Sequence, residues 1–148
     1  MTAPEDVLVI TRLFDAPPAR VFDAWMSREE WQSWIGPEGV HCDVSLLEPH
    51  VGGRYRLEMH LPGGGSILVG GIFKIVDRPR TLSFTWGADG DPTRQSIITL
   101  TFTETAKGTE LRLRQEGLSS SSNRDAHRHG WSSALNKLQH YLAKKGPQ

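Results

Sequence analysis

The chain has one cysteine, Cys42, in 148 residues. No internal disulfide can form, which excludes the stapled scaffolds of small secreted proteins and fits a reducing compartment. It has no excess charge of either sign: 17 basic and 17 acidic side chains give a formal net charge of +0. Binding to nucleic acid leaves a basic patch or stripe, so no nucleic-acid partner is expected. It has no long hydrophobic run either. The longest, Ile67 to Phe73, is seven residues and includes two glycines, whereas a membrane helix needs about 20 apolar residues. No membrane span is expected. The opening residues MTAPEDVLVI put two acids where a secretion signal carries positive charge. Together these absences predict a soluble, cytoplasmic chain folded as one domain over residues 1–148.

Recognisable reaction chemistry is also missing. There is no Gly-x-Ser-x-Gly elbow, and the Ser119 to Ser122 run has no base beside it in sequence. No His-Glu-x-x-His or Cys-x-x-Cys occurs among the six histidines and one cysteine, so no metal and no cofactor are expected. His127 and His129, two apart on a helix, face different ways. Gly63-Gly64-Gly65-Ser66 lacks the Gly-Lys-Ser/Thr ending of a phosphate loop and reads as a hairpin turn. Cys42 alternates with Val44 and Leu46 and reads as a buried thiol. No catalytic residue is assigned.

What is present is a change of period along the chain. Val7 to Phe14 is apolar and β-rich, and predicts a strand. Asp15 then reads as an N-cap, with Val21, Phe22 and Trp25 on one face of a short helix. Ser27-Arg28-Glu29-Glu30 has the form of a capping box opening a second short helix, with Trp31, Trp34 and Ile35 buried and Gly36-Pro37 as its stop. From Cys42 to Glu116 the period is two. Tyr55, Leu57 and Met59 alternate with Arg54, Arg56 and Glu58; Ile98, Leu100 and Phe102 alternate with threonines. That pattern predicts an antiparallel sheet with one covered face. Turns fall at Pro62 to Gly65, Arg78-Pro79, Asp89-Gly90-Asp91-Pro92 and Ala106 to Gly108, and Gly70-Gly71 predicts a bulge or bend. Helical period returns after Ser122-Asn123-Arg124-Asp125, a second box-like cap. Trp131, Leu135, Leu138 and Leu142 share a face, and Gly146 and Pro147 mark the end. The fold class is α+β: a curved antiparallel sheet of about seven strands around one long C-terminal helix, with two short helices after the first strand.

The residues resemble a known family. Phe14-Asp15-Ala16-Pro17-Pro18 leads to Val21-Phe22-Asp23-Ala24-Trp25, followed by WQSWIGP at Trp31 to Pro37 and Val51-Gly52-Gly53-Arg54-Tyr55-Arg56. Then come Gly71-Ile72-Phe73, Arg78 to Trp86, Gly108-Thr109-Glu110-Leu111 and Gly130-Trp131. In this order they resemble the START/Bet v 1-like (SRPBCC) helix-grip superfamily, in the branch of homologues of the heat-shock protein 90 ATPase activator C-terminal domain. The likeness covers roughly residues 7 to 145. His50, Ile35 and Lys74 depart from the branch pattern. The resemblance implies a hydrophobic cavity between the C-terminal helix and the sheet. Relatives bind lipids, sterols, polyketides or hormones, and some catalyse cyclisation or hydration.

The first functional expectation is therefore the binding of a small hydrophobic or amphipathic ligand. Trp34, Tyr55, Leu57, Met59, Phe73, Trp86, Leu100, Trp131 and Leu135 are expected to wall the cavity. Gln115, in register with Leu111 and Leu113, and His127, one turn before Trp131, are expected to supply polar contacts. An enzyme of the cyclase or hydratase kind is the alternative, with His127 paired to Tyr55 or Cys42 as acid and base. A chaperone-partner role is set third, because the eukaryotic activator has an additional N-terminal domain. A free edge strand such as Val7 to Phe14 offers a surface for homodimer pairing.

Overall fold

The computed structural model describes residues 7–89 and 95–145. The turn at Gly90 to Pro92, the helix-stop signals Gly146 and Pro147, and the first six residues lie outside this set.

Strand β1 (Val7–Phe14) is followed by two short helices, α1 (Pro18–Asp23) and α2 (Arg28–Trp34). Six strands come next: β2 (His41–Leu47), β3 (Arg54–His60), β4 (Ser66–Asp77), β5 (Thr81–Ala88), β6 (Gln95–Thr105) and β7 (Gly108–Glu116). The chain ends in α3 (Ser121–Lys145), 25 residues long. The strands form one antiparallel sheet in the order β1-β7-β6-β5-β4-β3-β2, so β1 closes on the last strand rather than on its successor.

The expected alternation is realised. Tyr55 and Leu57 on β3, Phe84 and Trp86 on β5, Ile98 and Leu100 on β6, and Leu111 and Leu113 on β7 point inward and are buried. They share one core with Trp131, Ala134, Leu135, Leu138 and Leu142 of α3. The sheet therefore grips the helix along the apolar face read from its period. No helix among the described residues is long and apolar enough to cross a membrane.

Several local expectations are corrected. Asp15 does not cap α1; Pro17 occupies the N-cap position and no side chain bonds there. Ser27 does cap α2, its hydroxyl accepting from the Glu30 amide at 3.1 Å. The Glu30 carboxylate does not return that bond in a closed box. It accepts instead from Arg20 at 2.7 Å and from the Tyr141 hydroxyl at 2.8 Å, tying α1, α2 and α3 together. At α3 the capping hydroxyl belongs to Ser120, two residues before Ser122, and accepts from the Asn123 amide at 3.1 Å. Asp125 is paired with its neighbour Arg124.

Gly70-Gly71 is not itself the bulge. The β4–β5 register slips further on, between Phe73 and Ile75. The glycines serve close approach: a Cβ on Gly71 would collide with the Thr85 carbonyl oxygen. Gly71 lies opposite Tyr55 in the ladder. The Tyr55 hydroxyl reaches past it to donate to that same Thr85 carbonyl on the next strand, at 2.5 Å.

Aromatic rings fill the interior towards the short helices. Trp25 meets Trp34 edge-on at 4.5 Å between centroids, Trp31 meets Tyr55 at 5.2 Å, and Tyr55 meets Phe84 at 5.7 Å. Such edge contacts suit the ring quadrupoles. Trp34 satisfies its indole N–H on the Ala24 carbonyl at 3.0 Å.

Candidate functional site

Beside this aromatic cluster, between the strand ends and α3, the fold opens into a cavity. The strand ends that meet there are fixed by register: Met59 pairs with Ile67, Val69 with Ala88, and Trp86 with Ser96. Facing them is the first half of α3, through Asn123, Ala126, His127, Gly130, Trp131 and Ala134. Two loops complete the wall, Ile35-Gly36-Pro37 after α2 and Gly117-Leu118-Ser119 before α3. The cavity is partly open to solvent and is about 780 Å³. That lies within the usual ~300–1,000 Å³ of small-molecule pockets.

The loop after α2 is held by sequence-specific contacts. Gly36 adopts φ +87°, and a Cβ there would press on the Cys42 sulfur at 2.6 Å. The Lys137 ammonium donates to the carbonyls of Ile35 at 3.3 Å and Pro37 at 3.4 Å. The Glu38 amide donates to the Ser133 hydroxyl at 2.7 Å. Partial burial lowers the Lys137 pKa. Burial pushes the Cys42 thiol up to about 11, so it stays protonated and unreactive at neutral pH.

Of the sequence-proposed wall residues, Met59, Trp86, His127 and Trp131 line this cavity. Trp34, Tyr55, Leu57, Phe73, Leu100 and Leu135 are essentially inaccessible and pack in the solid part of the core. Gln115 is also fully buried, with both ends of its amide in use. Its Oε1 accepts from the Trp131 indole at 3.0 Å, and its Nε2 donates to the Ser96 hydroxyl at 2.8 Å. Ser96 in turn donates to the Trp86 carbonyl at 2.9 Å. These bonds fix the Trp131 indole and tie Gln115 to the Trp86 backbone; the two indole rings stand 5.0 Å apart.

The polar edge of the cavity is made by Gln95, Ser96, Ser119, Asn123 and His127. The His127 Nδ1 lies 2.9 Å from the Asn123 carbonyl. A carbonyl only accepts, so Nδ1 carries the proton and Nε2 of the neutral ring carries a lone pair. Neither Tyr55 nor Cys42 lines the cavity beside His127. The Tyr55 hydroxyl is committed to Thr85, and burial raises its pKa well above the ordinary value. Among the described residues no group of three or more His, Cys, Asp or Glu side chains is placed to hold a metal ion.

Sequence reasoning did not single out the loops at Ile35 to Pro37 and Gly117 to Ser119, nor Asn123 and Gly130, as parts of the wall. Gly130 carried a signal: glycine inside a long helix costs about 1 kcal/mol relative to alanine. The loops carried none, because their approach to the cavity depends on the packing of distant elements.

The geometry agrees with comparisons to other proteins. A search of curated proteins returns no match. Solved structures superpose over nearly the whole chain. A Chromobacterium violaceum protein is 25% identical with a TM-score of 0.86, over 93% of this chain and 96% of its own. The AHSA1 protein of Silicibacter pomeroyi is 28% identical with a TM-score of 0.81, over 95% and 99%. A Mesorhizobium loti protein is 26% identical with a TM-score of 0.72, over 95% and 98%. Residues 15–143 match the family described as Activator of Hsp90 ATPase homolog 1-like protein. With its helix-grip architecture and that match across most of its length, the chain belongs to the Activator of Hsp90 ATPase homolog 1-like family, a branch of the Bet v 1-like superfamily.

Proposed function

We propose that the protein binds a small hydrophobic or amphipathic molecule in the cavity between α3 and the sheet. The observation that carries this reading is the cavity of about 780 Å³ walled largely by apolar groups, with Trp86 and Trp131 at its inner end. A folded core packs to near-crystalline density and leaves few voids larger than a water molecule. A partly open pocket of this size, with Trp86 and Trp131 buried against it, has the dimensions and lining of a small-molecule site. Apolar burial is worth roughly 25 cal/mol per Å², enough to hold a ligand without a charged anchor. Met59, Trp86, Trp131 and His127 are the sequence-proposed residues that this reading puts against the ligand.

The test uses Nile red, an uncharged probe whose emission rises in apolar surroundings. Saturable binding to the wild-type protein, lost in Gly130→Leu and reduced in Ala126→Leu, is the expected result. Both substitutions fill the cavity from the helix side. Failure of the folded wild-type protein to bind the probe, or undiminished binding in both filled variants, would overturn the reading.

The family description favours a second reading, a partner of a chaperone ATPase. Stimulation of such an ATPase by the purified chain would support it, and absence of any effect would remove it.

A further inference from the structure

The lining of the cavity has a chemical bias that its size alone does not reveal. No Asp, Glu, Lys or Arg contributes to it among the described residues. Its polar edge holds two acceptors that no described protein donor uses, beside the Ser119 hydroxyl, which both accepts and donates. The His127 Nδ1 is occupied by the Asn123 carbonyl, which leaves Nε2 as a lone pair without a protein partner among the described residues. The Asn123 Nδ2 donates to the Ser119 hydroxyl at 2.9 Å, which leaves its Oδ1 as the second acceptor. The start of α3 is near this edge, and a helix N-terminus ordinarily attracts anions. Here the Asn123 amide is already taken by the Ser120 hydroxyl, and neither Ser121 nor Ser122 lines the cavity.

An anionic head group entering the cavity would meet no cation among the described lining residues, and would face two lone pairs at the half-buried edge. Buried charge is strongly disfavoured without a partner. A hydroxyl or N–H on an uncharged molecule would find an acceptor. Resting on the ligand-binding reading above, we infer that the cavity selects uncharged molecules with an apolar body and a hydrogen-bond donor at one end, that it rejects carboxylates, and that His127 Nε2 is the accepting atom. His127 is thus a specificity-determining residue, with Trp86 and Trp131 holding the apolar body.

The test is a titration of the full chain, followed by amide shifts in solution NMR, with three probes of one shape: 1-naphthol, 1-methylnaphthalene and 1-naphthoate. It is run at pH 8, where an imidazole is neutral. The expected order is 1-naphthol, then 1-methylnaphthalene, then 1-naphthoate, with about tenfold or more between first and last. In His127→Phe the advantage of 1-naphthol over 1-methylnaphthalene disappears, a change of roughly two- to tenfold. In His127→Gln, which keeps an acceptor, part of the advantage returns. Binding of 1-naphthoate as tight as that of 1-naphthol would overturn the inference. So would an unchanged preference in His127→Phe; in both cases the cavity would still be a ligand site. No shift at cavity amides with any of the three probes would instead overturn the ligand-binding reading itself. The wild-type order is decisive even where a variant fails to fold.

Discussion

Trp131 donates its indole N–H to the side-chain oxygen of Gln115 at 3.0 Å, and neither residue is more than 4% exposed. An indole only donates, so the contact fixes which end of the Gln115 amide faces α3. The other end donates to Ser96, so one side chain couples the helix to β6 across β7. Gln115→Met leaves the indole and the Ser96 hydroxyl without this partner. A loss of about 1–3 kcal/mol in urea unfolding is expected. Trp131→Phe removes the same hydrogen bond from the other side. The double variant is expected to lose less than the sum of the two, because each single change already breaks the shared contact. Strict additivity would show that the amide works independently of the indole.

Gly130 stands in the interior of α3 where a Cβ would meet nothing nearer than the Pro37 ring at 3.7 Å. Gly130→Ala should therefore raise stability by about 0.5–1 kcal/mol through helix propensity alone. The added methyl also enters the cavity, so weaker Nile red binding should accompany the gain. A thermal melt and a binding isotherm on the same sample measure both.

Cys42 should titrate in a direction set by its burial. Burial pushes its thiol up to about 11 in the folded chain, above the ordinary thiol value. The contribution from keeping it neutral is complete below pH 9 and is lost as pH rises towards 11. Wild-type stability should therefore fall over that alkaline window more steeply than that of Cys42→Ala. At pH 8 the folded protein should resist iodoacetamide, and the urea-unfolded chain should react readily.

Lys137 holds the loop after α2 through two backbone carbonyls. Lys137→Met keeps most of the apolar stem and removes the clamp. Exchange of the Val40 amide, which bonds the Pro37 carbonyl, should accelerate by roughly tenfold. Exchange in β6 should not change, since that strand takes no part in the clamp.

The fold was largely legible because period carries it. Alternation along β3, β6 and β7 and the Trp131-Leu135-Leu138-Leu142 stripe each placed a face correctly, since burial of that face is what holds the element in place. Caps were less legible. Ser122 and Asp125 match a capping pattern as well as Ser120 does, and only the path of the preceding loop decides between them. The site was less legible still. Met59 and Phe73 both face inward on neighbouring strands, yet one lines the cavity and the other packs beside Tyr55. The difference is position along the strand relative to Trp25, Trp31 and Trp34, which fill one end of the grip. Alternation reports which side a residue faces and is silent on how far along the sheet the core is full. Gln115 shows the same limit: its inward direction was readable, its two partners on other elements were not.

The pairing of Val7 with Glu116 places the first strand beside the last. During synthesis β1 emerges roughly a hundred residues before β7, its one partner strand among the described residues, and the closure of so long a loop is entropically slow. The nascent chain must hold an apolar strand with an open edge until β7 leaves the ribosome, which is when such strands are prone to pair with neighbours. Truncated products ending before β7 should therefore aggregate more than the full-length chain, in which docking of β7 leaves β1 with one open edge in place of two.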